Sequence, residues 1–325
     1  MNEHIQALIH TLNNRIKSLS FGSEPVELYD PISYIMNLGG KRIRPLLAIL
    51  AYQLYKDNLE QITDPVLALE LFHNFTLMHD DIMDNAPLRR GHPTVHEKWN
   101  GNVAILSGDV MMIKVYELLL ILPSELTIEG IKIFNNCAVR VCEGQQLDMN
   151  FETRDQVDEL EYLDMISKKT AALIGFSLEF GGFLAGAPAT DQKALYHFGM
   201  HIGMGFQLTD DLLDVYADSG KFGKQTGGDI IANKKTYLLI KAMELADEKA
   251  ASDLRRWLKE KEFDPTDKVN SVKNIYNQLN IKKLTEEKIK DYFNKGYAAL
   301  DTVGVPKEKK ANLLNLAHNL TNRDQ

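Results

Sequence analysis

The sequence predicts an all-α protein, a helical bundle folded as a single domain over residues 1–325. Three observations carry this expectation. Apolar residues recur at i, i+3, i+4 and i+7 along most of the chain. Strand-like alternation between turn signals is hard to find. No Gly/Ser/Pro-rich linker, low-complexity tract or fixed-period repeat divides the chain.

Taken in order, helices are expected near 1–19, 45–57, 65–84, 103–121, 125–150, 158–186 and 190–217. Further helices are expected near 234–247, 249–261, 268–279, 285–300 and 307–321. The first mixes polar and apolar residues at helical spacing and lacks the continuous apolar run of a signal peptide. Pro31, Pro45, Pro65, Pro87, Pro93, Pro123, Pro188, Pro265 and Pro306 fall where helices should start or break. Segments 65–84 and 190–217 are apolar around most of their circumference, so they belong inside a bundle, and polar residues there need a reason. From about 249 onward Lys and Glu dominate the solvent faces and no chemical motif appears, so this third covers the core.

With 44% hydrophobic and 25% charged residues, the composition is that of a soluble globular protein with a substantial core. A formal net charge of -8 gives a nucleic-acid partner no electrostatic support. Cys137 and Cys142 match no metal or redox spacing and read as reduced, buried thiols of a cytoplasmic protein. No run approaches the roughly 18 apolar residues of a membrane span.

Two acidic clusters interrupt the apolar helices. In LMHDDIMD, Asp80 and Asp84 lie one turn apart on one face with Asp81 on the flank. In FQLTDDLLD, Asp210 and Asp214 share a face and Asp211 flanks them. One such cluster could be a solvated helix face, but two copies embedded among Leu, Met and Phe need cations. Oxygen-only ligands select hard ions such as Mg²⁺, which bridge a few carboxylates to substrate phosphates. A di-iron bundle would need paired Glu-x-x-His motifs, and the pattern at Glu70 to His73 occurs once.

Basic residues flank the carboxylates. GGKRIRP places Lys41, Arg42 and Arg44 near a helix start, Arg89 and Arg90 follow the first cluster, and Lys224, Lys234 and Lys235 follow the second. Together they suggest two anions, one held through metals and one held directly. His73 lies seven residues before Asp80, on the same helix face two turns below.

In order, GGKRIRP, DDIMD with RRG, Lys169-Thr170, GMGFQLTDDLLD and GKQTGGDIIANK resemble the motifs of the trans-isoprenyl diphosphate synthases, from about residue 35 to 240. The resemblance implies the isoprenoid-synthase bundle around a central cavity and a head-to-tail prenyl transfer. An allylic diphosphate ionises, isopentenyl diphosphate attacks the cation, and a proton leaves with the released diphosphate. By the same resemblance, Asp80, Asp84 and Asp210 ligate several Mg²⁺ ions, for which Mn²⁺ could substitute, with Asp81, Asp211 and Asp214 in support. Arg89, Lys169 and Lys224 contact the allylic diphosphate, and Lys41, Arg44, His73 and Arg90 hold isopentenyl diphosphate. Lys169, Thr170, Gln207 and Lys234 line the place where the cation forms, and Gln145 and Asp148 stand near the metals. The family is commonly homodimeric. One departure is Lys234-Lys235-Thr236-Tyr237-Leu238, which many relatives continue as KxTLP; the missing proline touches a helix start and no ligand.

Product length is expected to depend on the residues below the first Asp. Five helical residues drop about 7.5 Å along the axis, where Phe75 stands beside small Thr76. A single aromatic floor, with only two residues between Asp81 and Asp84, resembles geranylgeranyl (C20) enzymes. Farnesyl (C15) product is the runner-up, with longer polyprenyl products behind it. A terpene cyclase would lack GGKRIRP, a non-catalytic subunit of a heteromeric synthase would lack one or both Asp clusters, and an acidic structural bundle explains neither placement.

Overall fold

A computed structural model describes residues 3–217 and 227–321. The chain forms two compact units, each assembled from separate stretches. The first comprises Met1–Cys137, Phe176–Tyr196 and Val303–Leu316, and the second Ala138–Gly175, His197–Thr302 and Ala317–Gln325. Among the described residues the only strands are a two-residue pair, so the all-α expectation holds.

The first unit opens with α1 (Glu3–Ser18), which buries Ile5, Leu8, Leu12 and Ile16 at heptad-like spacing. It continues with α2 (Val26–Asn37), α3 (Ile43–Tyr52) and α4 (Thr63–Met83). Helix α2 corrects the reading of Pro31 as a break. Pro31 lies inside this helix, where it forfeits one backbone hydrogen bond, while Ile32, Ile35 and Met36 bury an apolar face around it. After a short hairpin come α5 (Val95–Lys98) and α6 (Gly101–Leu119), whose first turn Asn100 caps by accepting from Val103 N at 2.9 Å. Helices α4 and α6 form the principal packed pair of this unit.

Helix α7 (Ser124–Glu152) supplies residues to both units, as do α9 (Ala172–Ala185) and α10 (Ala189–Tyr216). In the second unit α8 (Glu159–Ile166) starts on a capping box, Asp158 accepting from Glu161 N at 2.8 Å and Glu161 from Asp158 N at 3.1 Å. It runs through a π-helical turn, Ser167–Ala171, into α9. The 158–186 segment is therefore a helix with one widened turn. Short α11 (Gly228–Ile231) precedes α12 (Tyr237–Leu245), α13 (Glu248–Lys259), α14 (Pro265–Gln278) and α15 (Ile281–Asp301), and the last helix, α16 (Lys307–Thr321), belongs to the first unit as far as Leu316. No helix among the described residues is long and apolar enough to cross a membrane. Neither cysteine forms a disulfide, but only Cys137 is buried; Cys142 is exposed on α7, a correction to the expectation of two buried thiols.

Candidate active site

The first acidic cluster ends α4, with Asp84 as its C-cap residue. Carboxylates here face the negative end of the helix dipole, which disfavours them locally. Asp81 turns inward: it is 2% exposed and receives Nε and Nη2 of Arg89 at 2.6 to 2.9 Å. Asp80 is partly buried and Asp84 exposed.

The arginines are aimed by a hairpin in which Leu88–Arg89 pairs with His92–Pro93. Its two loop residues, Arg90 and Gly91, have φ of 54° and 77°, the left-handed pattern of a type I′ turn. The strand carries Arg89 back to Asp81. The turn sends Arg90 to the GGKRIRP loop, where Nη1 donates to the Gly39 carbonyl.

In that loop Arg42 is held apart from the neighbours with which the motif groups it, Lys41 and Arg44. With φ of 49° it is directed inward and is 3% exposed. It donates to Glu70 Oε1 at 2.7 Å, Met36 O at 2.7 Å and Asn13 Oδ1 at 3.0 Å. Lys41 stays exposed and Arg44 partly buried. Burial lowers Arg44 to about 10, which leaves it cationic at neutral pH.

His73 stands among these cations. Burial, and after it the charges of Arg44, Arg90, Arg89 and Arg42, hold its imidazole well below the ordinary histidine range. Guanidiniums gathered around a neutral imidazole make a site for an anion. The unfolded chain binds a proton at His73 near pH 6.5 that the folded chain refuses, so below that pH stability falls as pH falls. His73→Gln is expected to lose less stability than the parent between pH 7 and pH 5, as measured by chemical denaturation at each pH.

The second unit contains a cavity of about 110 Å³ whose lining includes Asp148, Tyr162, Lys169, Thr170, Gln207 and Asp211. Lys169 and Thr170 come from the π turn, a widened turn of the kind that recurs at functional sites. Gly144 of α7 permits this, because a Cβ there would overlap the backbone nitrogen of Lys169 and lie 2.6 Å from its Cα. Lys169 Nζ donates to Asp148 Oδ2 at 2.6 Å. Thr170 Oγ1 donates to Gln207 Oε1 at 2.8 Å, and Gln207 Nε2 donates to Asp211 Oδ1 at 3.0 Å. The Tyr162 hydroxyl donates to Asp211 Oδ2. Burial, then the charge of Asp229, pushes the buried Asp211 carboxyl up to about 7. Lys234 and Lys235 line the same cavity. Lys224 lies outside the described residues.

The second acidic cluster divides as the first does. Asp211 is committed to Tyr162 and Gln207. Asp214 Oδ2 accepts from Asp229 N at 2.9 Å, fixing the first turn of α11. Asp210 is partly buried. Among the described residues no three His, Cys, Asp or Glu side chains converge into a metal-holding group. Mg²⁺ does not require one, since one or two carboxylates plus substrate phosphates suffice. Asp80 and Asp84 on α4, and Asp210 on α10, each offer carboxylate oxygens of the kind that mode uses.

Sequence reasoning missed Glu70 as the partner of Arg42, Tyr162 and Asp229. Glu70 and Tyr162 lie outside every quoted motif as residues with a role. Asp229 was within GGDIIANK, so that motif contained a signal.

A family model for polyprenyl synthetases matches residues 25–279. Geranylgeranyl diphosphate synthase from Sulfolobus acidocaldarius is 41% identical over 251 residues, covering 76% of each chain. Short chain isoprenyl diphosphate synthase from Methanocaldococcus jannaschii is 43% identical over 223 residues, covering 68% of each. Among solved structures, geranylgeranyl pyrophosphate synthetase from Pyrococcus horikoshii has a TM-score of 0.90 and 34% identity, over 98% of this chain and 97% of that one.

Proposed function

The chain belongs to the polyprenyl synthetase family and is a trans-prenyltransferase, and from that premise we propose that it makes geranylgeranyl (C20) diphosphate. The allylic diphosphate and isopentenyl diphosphate are its substrates, and the whole chain, 1–325, acts as one functional domain. The observation that carries the substrate reading is the gathering of Arg44, Arg90 and Arg89 about His73, with Arg42 behind them, a concentration of positive charge in a chain of net charge -8. We assign isopentenyl diphosphate to Lys41, Arg44, His73 and Arg90. Asp80, Asp84 and Asp210 would hold Mg²⁺, which when bound neutralises the departing diphosphate.

Other residues supply the rest. Lys169 and Lys224 balance charge on the allylic diphosphate, and Arg89 adds to it while anchored to Asp81. Thr170 and Gln207, hydrogen-bonded to one another, present fixed oxygens to a developing cation without being basic enough to capture its proton. Lys234 and Lys235 close the lining. The acidic, linker-free chain is assigned to the cytoplasm.

The deciding experiment incubates purified protein with Mg²⁺, isopentenyl diphosphate and each allylic primer, then sizes the products. C20 as the main product is expected. No turnover with any primer would sink the enzyme reading. Phe75→Ala is expected to lengthen the product, and unchanged length would remove Phe75 as the floor.

We also assign a homodimer. On α6, the turn after it and the start of α7, Ile105, Leu106, Ile113, Leu120, Ile121 and Ile128 are exposed, Ile113 by 58% and Ile128 by 70%. An apolar stripe of this size marks an interaction surface. Ile113→Glu with Leu106→Glu is expected to convert a dimer to a monomer by light scattering on a sizing column; a parent that elutes as a monomer would refute the assignment.

A further inference from the structure

Three aromatic side chains follow one another along α4. Phe72 and Phe75 have ring centroids 5.8 Å apart, and Phe75 and His79 meet edge-on at 4.7 Å. Behind Phe72 the stack continues into Phe134 at 5.2 Å. Phe72 and Phe134 are buried, which closes that end. The other end depends on His79, which is only partly buried.

Helix α6 holds His79 in two ways. Its Nε2 lies 3.2 Å from the Ile105 carbonyl oxygen, an acceptor only, so Nε2 carries the proton in that contact. The ring also sits over Gly108, where a Cβ would overlap Nε2 and come within 2.6 Å of Cδ2 and 3.1 Å of Cε1. Glycine in the middle of a helix costs about 1 kcal/mol relative to alanine. At position 108 the missing side chain is what admits the imidazole.

We infer that His79, seated on Gly108, is a specificity-determining residue that sets product length by holding the Phe75 ring in place. This rests on the reading of Phe75 as the floor of the elongation pocket. Phe75 is confined between Phe72 below and His79 above. Without the imidazole, its ring gains the space beside Gly108 and tips out of the path of the growing chain.

The test compares Phe75→Ala, His79→Ala, Gly108→Ala and the His79→Ala/Gly108→Ala double variant. Each full-length protein is supplied with Mg²⁺, isopentenyl diphosphate and an allylic primer. The readout is the ratio of product longer than the parental length to product of parental length. It is measured on product formed, so a slower or less stable variant still reports it. Phe75→Ala and His79→Ala are each expected to raise the ratio about tenfold, the scale of one or two methylene-sized contacts. Gly108→Ala is expected to shift the ratio in the parental background. In the His79→Ala background it should add nothing beyond about twofold, because the group it overlaps is gone.

If Phe75→Ala lengthens the product and His79→Ala does not, the inference fails and the floor stands. If Phe75→Ala changes nothing, the floor reading fails and takes the inference with it. A Gly108→Ala effect that persists undiminished without His79, or no effect at all, overturns the seat. Should Gly108→Ala fail to fold, the double variant must recover folded protein by circular dichroism; if it does not, the seat is likewise overturned.

Discussion

Asp80→Ala is expected to lower kcat/KM by about a thousandfold while unfolding no earlier than the parent. The loss follows from the proposed chemistry. Separating a diphosphate from an allylic carbon concentrates negative charge, and a metal ion held against it is worth several kcal/mol in the transition state. Withdrawing one of its carboxylate ligands costs about 4 kcal/mol, which is the thousandfold. The stability expectation follows from the helix. Asp80 is in the last turn of α4, where a carboxylate faces the negative end of the dipole, so its removal relieves a repulsion of about 0.3–1 kcal/mol. Steady-state kinetics and thermal unfolding on the same preparation check both halves. Retention of more than a tenth of kcat/KM would exclude Asp80 as a metal ligand.

The neighbouring position should behave differently. Asp81 is buried and fixes Arg89 through Nε and Nη2, so Asp81→Ala strands a guanidinium in a partly buried place. Loss of about 1–3 kcal/mol of stability should accompany its loss of activity. Two adjacent aspartates in one motif thus separate by readout, one affecting turnover alone and the other turnover and folding.

That separation was not legible in the sequence. A spacing of four on a helix fixes which carboxylates share a face, and this brought out Asp80 with Asp84 and Asp210 with Asp214. Which flanking carboxylate turns inward depends on its partner, and Tyr162 lies 49 residues from Asp211. The long apolar helices were legible because burial imposes a period. Helix α2 was not, because Pro31 signals a break while the compensating burial of Ile32, Ile35 and Met36 is a tertiary effect. The π turn was hidden for a related reason. SKKTA has nothing unusual in composition, and the widened turn is matched by a glycine on another helix, Gly144. Arg42 looked like its neighbours Lys41 and Arg44, and only its left-handed backbone separates it from them.

Glu70→Ala is expected to cost about 3–5 kcal/mol of stability and to raise the KM for isopentenyl diphosphate more than it lowers kcat. The Arg42–Glu70 pair is among the most enclosed charges described, with side-chain exposures of 2% and 3%. Removing Glu70 leaves the guanidinium buried with only the Met36 carbonyl and Asn13 oxygen to accept from it, two neutral acceptors facing a full charge. Breaking such a pair costs more than deleting it whole, since the remaining ion cannot recover its hydration. Arg42→Met/Glu70→Leu is therefore expected to recover most of the stability by chemical denaturation. The kinetic half follows from what the pair secures. Arg42 is the N-cap residue of α3, so its inward anchor fixes the backbone on either side, from which Lys41 and Arg44 project. With the anchor loosened, these two cations lose their preset position and the anion they are assigned to binds less well, whereas Thr170 and Gln207 keep their own hydrogen bond. A double variant that regains stability but keeps a raised KM would show that the ion pair positions the loop; equal recovery of both would show that its role is stability alone.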